Sequence, residues 1–232
     1  MARLLLFDID GTLVDSNGQS KPLFASALTE VFGTIGPIDG YDFSGKTDPR
    51  IVFDLMTGAG LDAALVRERT PRVRDLYLDA LDRHLDRDRM RLLPGVEPLL
   101  AELAARPDVV VALLTGNWER GARIKLGRFG LFERFRFGSF GDDQLDRDAL
   151  PPVALARAGE LLGRRVGPEE ALIIGDSLLD IACARANGIR CLAVATGRTS
   201  AAALAAAGAD RLARDLEDRA AFGDLLGEAI GR

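Results

Sequence analysis

Leu4-Leu5-Leu6-Phe7-Asp8-Ile9-Asp10-Gly11-Thr12 runs from a continuous apolar segment into two carboxylates one residue apart, then a glycine. An unbroken apolar run of this length fits a strand covered on both faces, as in parallel α/β sheets. Strand side chains alternate, so Asp8 and Asp10 are expected to point the same way from the strand's end. Two like charges at a largely buried strand terminus repel, and a divalent cation is the natural compensation. The same residues also fit a strand that simply ends in an Asp-Gly turn. The rest of the chain separates the two readings.

Downstream of Thr12 the periodicity changes. Apolar residues at Leu23, Phe24, Ala27, Leu28, Val31 and Phe32 have helical spacing, and further helical patterns cover Asp48 to Thr57 and Ala63 to Leu85, with no strand signal between. Leu92-Leu93-Pro94-Gly95 is a turn signal. Beyond it, strands and helices alternate. Strands are expected at Val109–Leu114, Phe135–Phe140, Ala171–Ile174 and Cys191–Val194, with Arg211–Ala213 as an edge strand. Helices are expected at Val96–Ala105, Trp118–Phe129, Leu150–Leu162, Leu179–Ala186, Ala201–Ala207 and Arg219–Ile230. The alternation predicts a Rossmann-like α/β core, a parallel sheet with helices on both faces. The core is expected to span residues 1–14 and 93–232, with a helical domain inserted over 15–92.

Composition narrows the function. The net charge of −5 gives no electrostatic case for nucleic-acid binding. No apolar run reaches bilayer-spanning length and no secretory pattern opens the chain, so neither a membrane partner nor export is expected and the cytoplasm is the expected location. Cys183 and Cys191 read as small buried apolar residues rather than a disulfide. The only histidine, His84, lies on a charged helix face, which argues against His-rich metal sites. Lysines are rare among the basic residues: only Lys21, Lys46 and Lys125.

Ligands of parallel α/β sheets sit outside the carboxyl ends of the strands, so polar residues at strand ends form one candidate set. Asp8 and Asp10 are the first members. Thr115-Gly116-Asn117 follows the apolar run at Leu113-Leu114 and offers a hydroxyl, backbone N–H groups and an amide to an anion. Taken alone it also reads as an ordinary strand-to-helix turn with Asn117 as N-cap. Gly175-Asp176-Ser177 follows Ile173-Ile174, with Asp180 one turn on; Asp176 joins the carboxylates, Asp180 supports them, and Ser177 reads best as a helix N-cap. Oxygen donors without His or Cys favour Mg²⁺, and Mg²⁺ beside such a cradle suits a phosphoryl group.

The ordered set Asp8-Ile9-Asp10-Gly11-Thr12, Thr115-Gly116-Asn117 and Gly175-Asp176-Ser177-Leu178-Leu179-Asp180 resembles motifs I, II and IV of the haloacid dehalogenase superfamily, and it spans essentially the whole chain. The helical insertion sits where phosphoglycolate phosphatase-like members carry a C1 cap. The resemblance implies that Asp8 is a nucleophile forming an aspartyl-phosphate and Asp10 the general acid/base. It implies Mg²⁺ held by the Asp8 carboxylate, the Asp10 backbone carbonyl and Asp176. It implies phosphoryl oxygens bound by Thr115 and the N–H groups of Gly116 and Asn117. The dehalogenase branch lacks an aspartate at the place of Asp10, so the implied activity is a phosphatase acting on a small phosphorylated metabolite. A phosphomutase of the same superfamily and a catalytically silent binding protein are the alternatives.

The departure is motif III, where the superfamily usually has a lysine before the helix leading to motif IV. Here the chain reads Asp146-Arg147-Asp148-Ala149-Leu150-Pro151-Pro152, and Arg147, able to bridge phosphate and carboxylate, is the positional match. Lys125 is the other basic candidate; it lies about two turns into the helix after motif II and is expected to point away from the strand ends to the surface. In the insertion, Phe43-Ser44-Gly45-Lys46-Thr47-Asp48 is a polar turn before a helix: Thr47 or Asp48 fits an N-cap, and Lys46 is the candidate contact to an anionic substrate.

Overall fold

The computed structural model describes residues 3–223. In chain order the elements are β1 (Arg3–Phe7), β2 (Val14–Asp15), α1 (Ser20–Phe32), α2 (Asp48–Gly58), α3 (Ala63–His84), β3 (Arg91–Leu92), α4 (Val96–Ala104), β4 (Val109–Leu114), α5 (Glu119–Gly127), β5 (Gly138–Ser139), α6 (Leu150–Leu162), β6 (Ala171–Gly175), α7 (Leu178–Ala186), β7 (Arg190–Val194), α8 (Ala201–Ala206), β8 (Arg211–Ala213) and α9 (Ala220–Gly223). Six strands form one sheet in the order β5-β4-β1-β6-β7-β8, and every pair in it is parallel. The quoted opening segment is the sheet's centre: Leu5 is in register with Val111 on one side and Leu172 on the other.

The apolar runs lack polar alternation because both faces are covered. Leu5, Phe7, Val111, Leu113, Leu172 and Ile174 face a core shared with α4, α5 and the inserted helices. Leu4, Leu6, Val110, Ala112, Ala171 and Ile173 face a second core filled by α6, α7 and α8. The first core is continuous into the insertion, where Phe24 of α1 and Tyr77 of α3 meet Trp118 just before α5. Cys183 and Cys191 are buried and unpaired, in the second core, and His84 is exposed. No helix among the described residues is long and apolar enough to cross a membrane.

Two expectations are corrected, and a third falls partly outside the described residues. The insertion is flanked by strands despite the absence of strand signal: β2 and β3 pair antiparallel, Val14 with Leu92 and Asp15 with Arg91, which brings the chain's departure to α1–α3 and its return side by side. Both strands are only two residues long, too short to show a periodicity. The strand expected over Phe135–Phe140 shortens to Gly138–Ser139, the residues in register with Leu113 and Leu114, although the Arg136 N–H and the Phe137 carbonyl also bond to β4. Of the helix expected at Arg219–Ile230, Ala220–Gly223 is helical, and residues 224–230 lie outside the described part.

Candidate active site

Strand β1 ends at Phe7, and the next residues form a tight turn in which the N–H groups of Thr12, Leu13 and Val14 all donate to the Ile9 carbonyl. Strict alternation therefore stops before Asp8, and the two carboxylates have separate partners. Asp8 is buried and gathers with Asp176 and Asp180, one carboxylate oxygen of each lying within 4.8 Å of the other two. Asp176 follows β6; Asp180 lies in the first turn of α7. Thr12 donates its hydroxyl to Asp176 at 3.0 Å. Gly11, with φ of +85°, lets the turn pass over Asp176: a Cβ there would stand 2.4 Å from a carboxylate oxygen.

One cation is built into this cluster. Arg147 is buried, pairs with Asp180, and lies 3.4 Å from Asp8 Oδ1. Its other terminal nitrogen donates to the Gly45 carbonyl of the inserted domain at 3.0 Å. Burial pushes Asp8 up to about 6, with Arg147 opposing and Asp180 and Asp10 adding to the rise. Burial, Asp180 and Asp8 together push Asp176 up to about 8. Three carboxylates against one guanidinium leave two formal negative charges in a buried place, and burial together with their mutual repulsion disfavours holding both without further compensation. A hard divalent cation matches this charge and these all-oxygen donors. Asp180 is thus a full member of the group, beyond the supporting place expected of it. Asp10 contributes no side-chain oxygen to it, which leaves the backbone carbonyl as the atom the resemblance assigns to a cation.

Asp180 does two jobs. It forms a reciprocal capping box with Ser177: the Ser177 hydroxyl accepts from the Asp180 N–H at 3.2 Å, and Asp180 Oδ2 accepts from the Ser177 N–H at 3.0 Å. The expected capping role of Ser177 is therefore present, and it fixes the carboxylate that Arg147 engages.

Asp10 belongs to a second group. Its Oδ2 accepts from the Asn117 side-chain amide at 2.8 Å and from Lys125 Nζ at 2.6 Å. Lys125 Nζ also donates to Asn117 Oδ1 at 2.6 Å, and the Asn117 amide reaches the Thr115 hydroxyl at 2.9 Å. Asn117 is not the N-cap of α5; Trp118 holds that position without a side-chain bond, freeing the amide for the site. The expectation that Lys125 points to the surface is overturned: its side chain is 5% exposed. A helical Cα–Cβ bond tilts toward the helix N-terminus, so a long side chain two turns along reaches back to the strand ends. The available signal was phase, since Lys125 shares the buried stripe of α5 with Gly121, Ala122 and Leu126. Burial opposes the charge on Lys125, but Asp10, Tyr77 and Asp48 outweigh it and hold the amine above its ordinary pKa.

The turn of the inserted domain closes on this edge. The Asp48 N–H donates to the Gly116 carbonyl at 2.7 Å, and the Asp48 carboxylate accepts from the Trp118 N–H at 2.9 Å. Thr47 is the N-cap of α2, accepting from the Arg50 N–H at 3.2 Å. The Lys46 backbone carbonyl lies against Gly116, while its amine pairs with Asp54 at 3.4 Å and sits over the Tyr41 ring. Sequence reading named Asp48 as a cap and weighed Lys125 as a second basic candidate but turned it to the surface, because both lie in helical contexts where those roles are the ordinary ones.

A parallel α/β sheet with acidic, amide and hydroxyl groups gathered at the carboxyl ends of β1, β4 and β6 under an inserted helical cap defines the hydrolase class to which this chain's motifs point. The chain belongs to the haloacid dehalogenase-like hydrolase family, which matches residues 5–194. It is 31% identical over 203 residues to phosphoglycolate phosphatase 1 of Pseudomonas aeruginosa, covering 85% of this chain and 71% of that protein. Its fold is similar to that of a haloacid dehalogenase-like family hydrolase from Streptococcus pneumoniae (TM-score 0.65, 21% identity, 95% of this chain and 98% of that one). It is also similar to CbbY from Rhodobacter sphaeroides, solved in complex with phosphate (TM-score 0.64, 22% identity, 94% and 96%).

Proposed function

We propose that the protein is a Mg²⁺-dependent phosphatase that hydrolyses a small phosphomonoester through an aspartyl-phosphate on Asp8. The observation that carries this reading is the pairing of two distinct carboxylate environments at one sheet edge. Asp8 lies in the acidic cluster with Arg147, and Asp10 lies apart, held by Asn117 and Lys125. Two carboxylates in unlike surroundings are what a nucleophile and a general acid/base require.

An Asp8 oxygen attacks phosphorus, and the bond from phosphorus to the leaving oxygen breaks with its electron pair as Asp10 gives that oxygen a proton. Asp10 then takes a proton from water, which attacks the same phosphorus and returns Asp8 with release of inorganic phosphate. Thr115 and the N–H groups of Gly116 and Asn117 receive the phosphoryl oxygens. Arg147 keeps Asp8 oriented by its pair with Asp180. Mg²⁺, held by Asp8, Asp176 and the Asp10 backbone carbonyl with Asp180 beside them, would offset charge between the carboxylate and the incoming phosphoryl group. The buried Arg147 at the motif III place supports turnover over a silent binding role. The name of the Pseudomonas aeruginosa relative makes 2-phosphoglycolate the first compound for a substrate panel.

Purified protein with Mg²⁺ is expected to hydrolyse 4-nitrophenyl phosphate. EDTA abolishes the activity, and Asp8→Asn reduces it by at least about 10³-fold. Turnover that survives Asp8→Asn overturns the nucleophile assignment.

A further inference from the structure

The buried amine of Lys125 has no place in the mechanism above, yet it makes two 2.6 Å hydrogen bonds inside the site. Lys125, Asn117 and Asp10 form a closed triangle: Lys125 donates to both others, and Asn117 donates to Asp10. The triangle is tied to β4 through the Thr115 hydroxyl. Its members differ in exposure. The Lys125 side chain is walled off, whereas that of Asp10 is 41% exposed and reaches solvent. Both hydrogen bonds received by Asp10 fall on Oδ2. An aspartate free to rotate about its last torsion presents either oxygen to a reacting partner; with Oδ2 held by two donors, Oδ1 is the oxygen presented.

We propose that Lys125 is a positioning residue that, with Asn117, pins Oδ2 of Asp10 so that Oδ1 carries the proton to the leaving oxygen. The inference rests on the role given to Asp10 in the phosphatase reading. Lys125 bonds to Asp10 and to the Asn117 amide and makes no hydrogen bond to Asp8, Asp176 or Asp180, so its effect runs through the Asp10 carboxylate and the amide that helps hold it. Its removal therefore injures proton delivery and spares the attack of Asp8. A leaving group that departs as a stable anion needs little help from an acid, while a basic one depends on it.

The test is single-turnover release of the leaving group, with enzyme in excess and Mg²⁺ saturating, across aryl phosphates from 4-nitrophenyl to phenyl phosphate. This reads phosphoryl transfer to Asp8 and excludes the later hydrolysis, in which Asp10 acts on every substrate alike. In Lys125→Met the rate on phenyl phosphate is expected to fall at least about tenfold more than the rate on 4-nitrophenyl phosphate, within the range that general acid catalysis spans. Lys125→Arg, which keeps a charged donor, restores most of the difference. Should Lys125→Met fail to fold, Lys125→Gln carries the same comparison. An equal fall across the series means that Lys125 serves folding or general charge balance, and overturns the proposal. Wild-type protein inactive on the whole series defeats the phosphatase reading instead.

Discussion

Asp48 shows how a single residue carries the cost of joining the inserted domain to the core. Its carboxylate is buried where the turn meets α5, and burial pushes it up to about 7, opposed by Lys125 and by the hydrogen bond from Trp118. The native state then binds a proton that the unfolded chain, with an ordinary pKa of 3.8, has already released. Stability falls as pH rises from about 4 to about 7 and levels off above, a loss on the order of 4 kcal/mol. Asp48→Asn keeps an acceptor for the Trp118 N–H and removes the proton. Its urea midpoint relative to wild type is expected to be higher at pH 8 than at pH 4. A difference that stays constant with pH would show that the native carboxylate is ionised throughout. Lys125 makes the complementary point. Its identity was plain in the sequence, but its direction depends on helix phase and on where α5 starts, which axial distance alone misjudged.

At the scale of elements, two connections meet: the turn before α2 and the turn between β4 and α5. They approach so closely that a Cβ on Gly116 would stand 2.0 Å from the Lys46 carbonyl, a backbone atom that cannot move without the turn. The same turn presents the Gly45 carbonyl to Arg147, so its seating is linked to the Asp8 cluster. Gly116→Ala is expected to cost about 1–3 kcal/mol in urea unfolding and to lower kcat/KM on 4-nitrophenyl phosphate at least about tenfold. Wild-type values on both counts would mean that the turn does not govern the site. The core strands β1, β4 and β6 were legible because an apolar run buried on both faces has a composition of its own. β2 and β3, two residues each, have none, and only their pairing defines them, while β5 was legible in position but not in length.

For the molecule as a whole, an acidic cluster that could hold a divalent cation is expected to make stability depend on that cation. Mg²⁺ that binds only the folded state stabilises it by about 1.4 kcal/mol at tenfold excess over Kd, a rise of a few degrees in Tm for a chain of this size. EDTA reverses the rise, and Asp176→Asn abolishes it. Because protons on Asp8 and Asp176 compete with the metal, the shift is expected to be larger at pH 8 than at pH 6. Calorimetry with and without Mg²⁺ at the two pH values checks this; a shift unchanged in Asp176→Asn places the cation elsewhere.

The sequence by itself determined the parallel α/β core, the helical insertion after the first strand and the strand-end residues Asp8, Asp10, Thr115 and Asp176. These follow from local rules: hydrophobic run length, helical period and the fact that strand ends in such sheets face ligands. Arg147 and Asp180 were named by the sequence, but tertiary structure alone decided that they pair with each other inside the acidic cluster, that Asp10 turns to Asn117 and Lys125, and that Asp48 locks the inserted turn to the core. Each of these is a meeting of groups from different elements. Side-chain direction, helix phase and the register of one element on another set such meetings, and no window of sequence contains them.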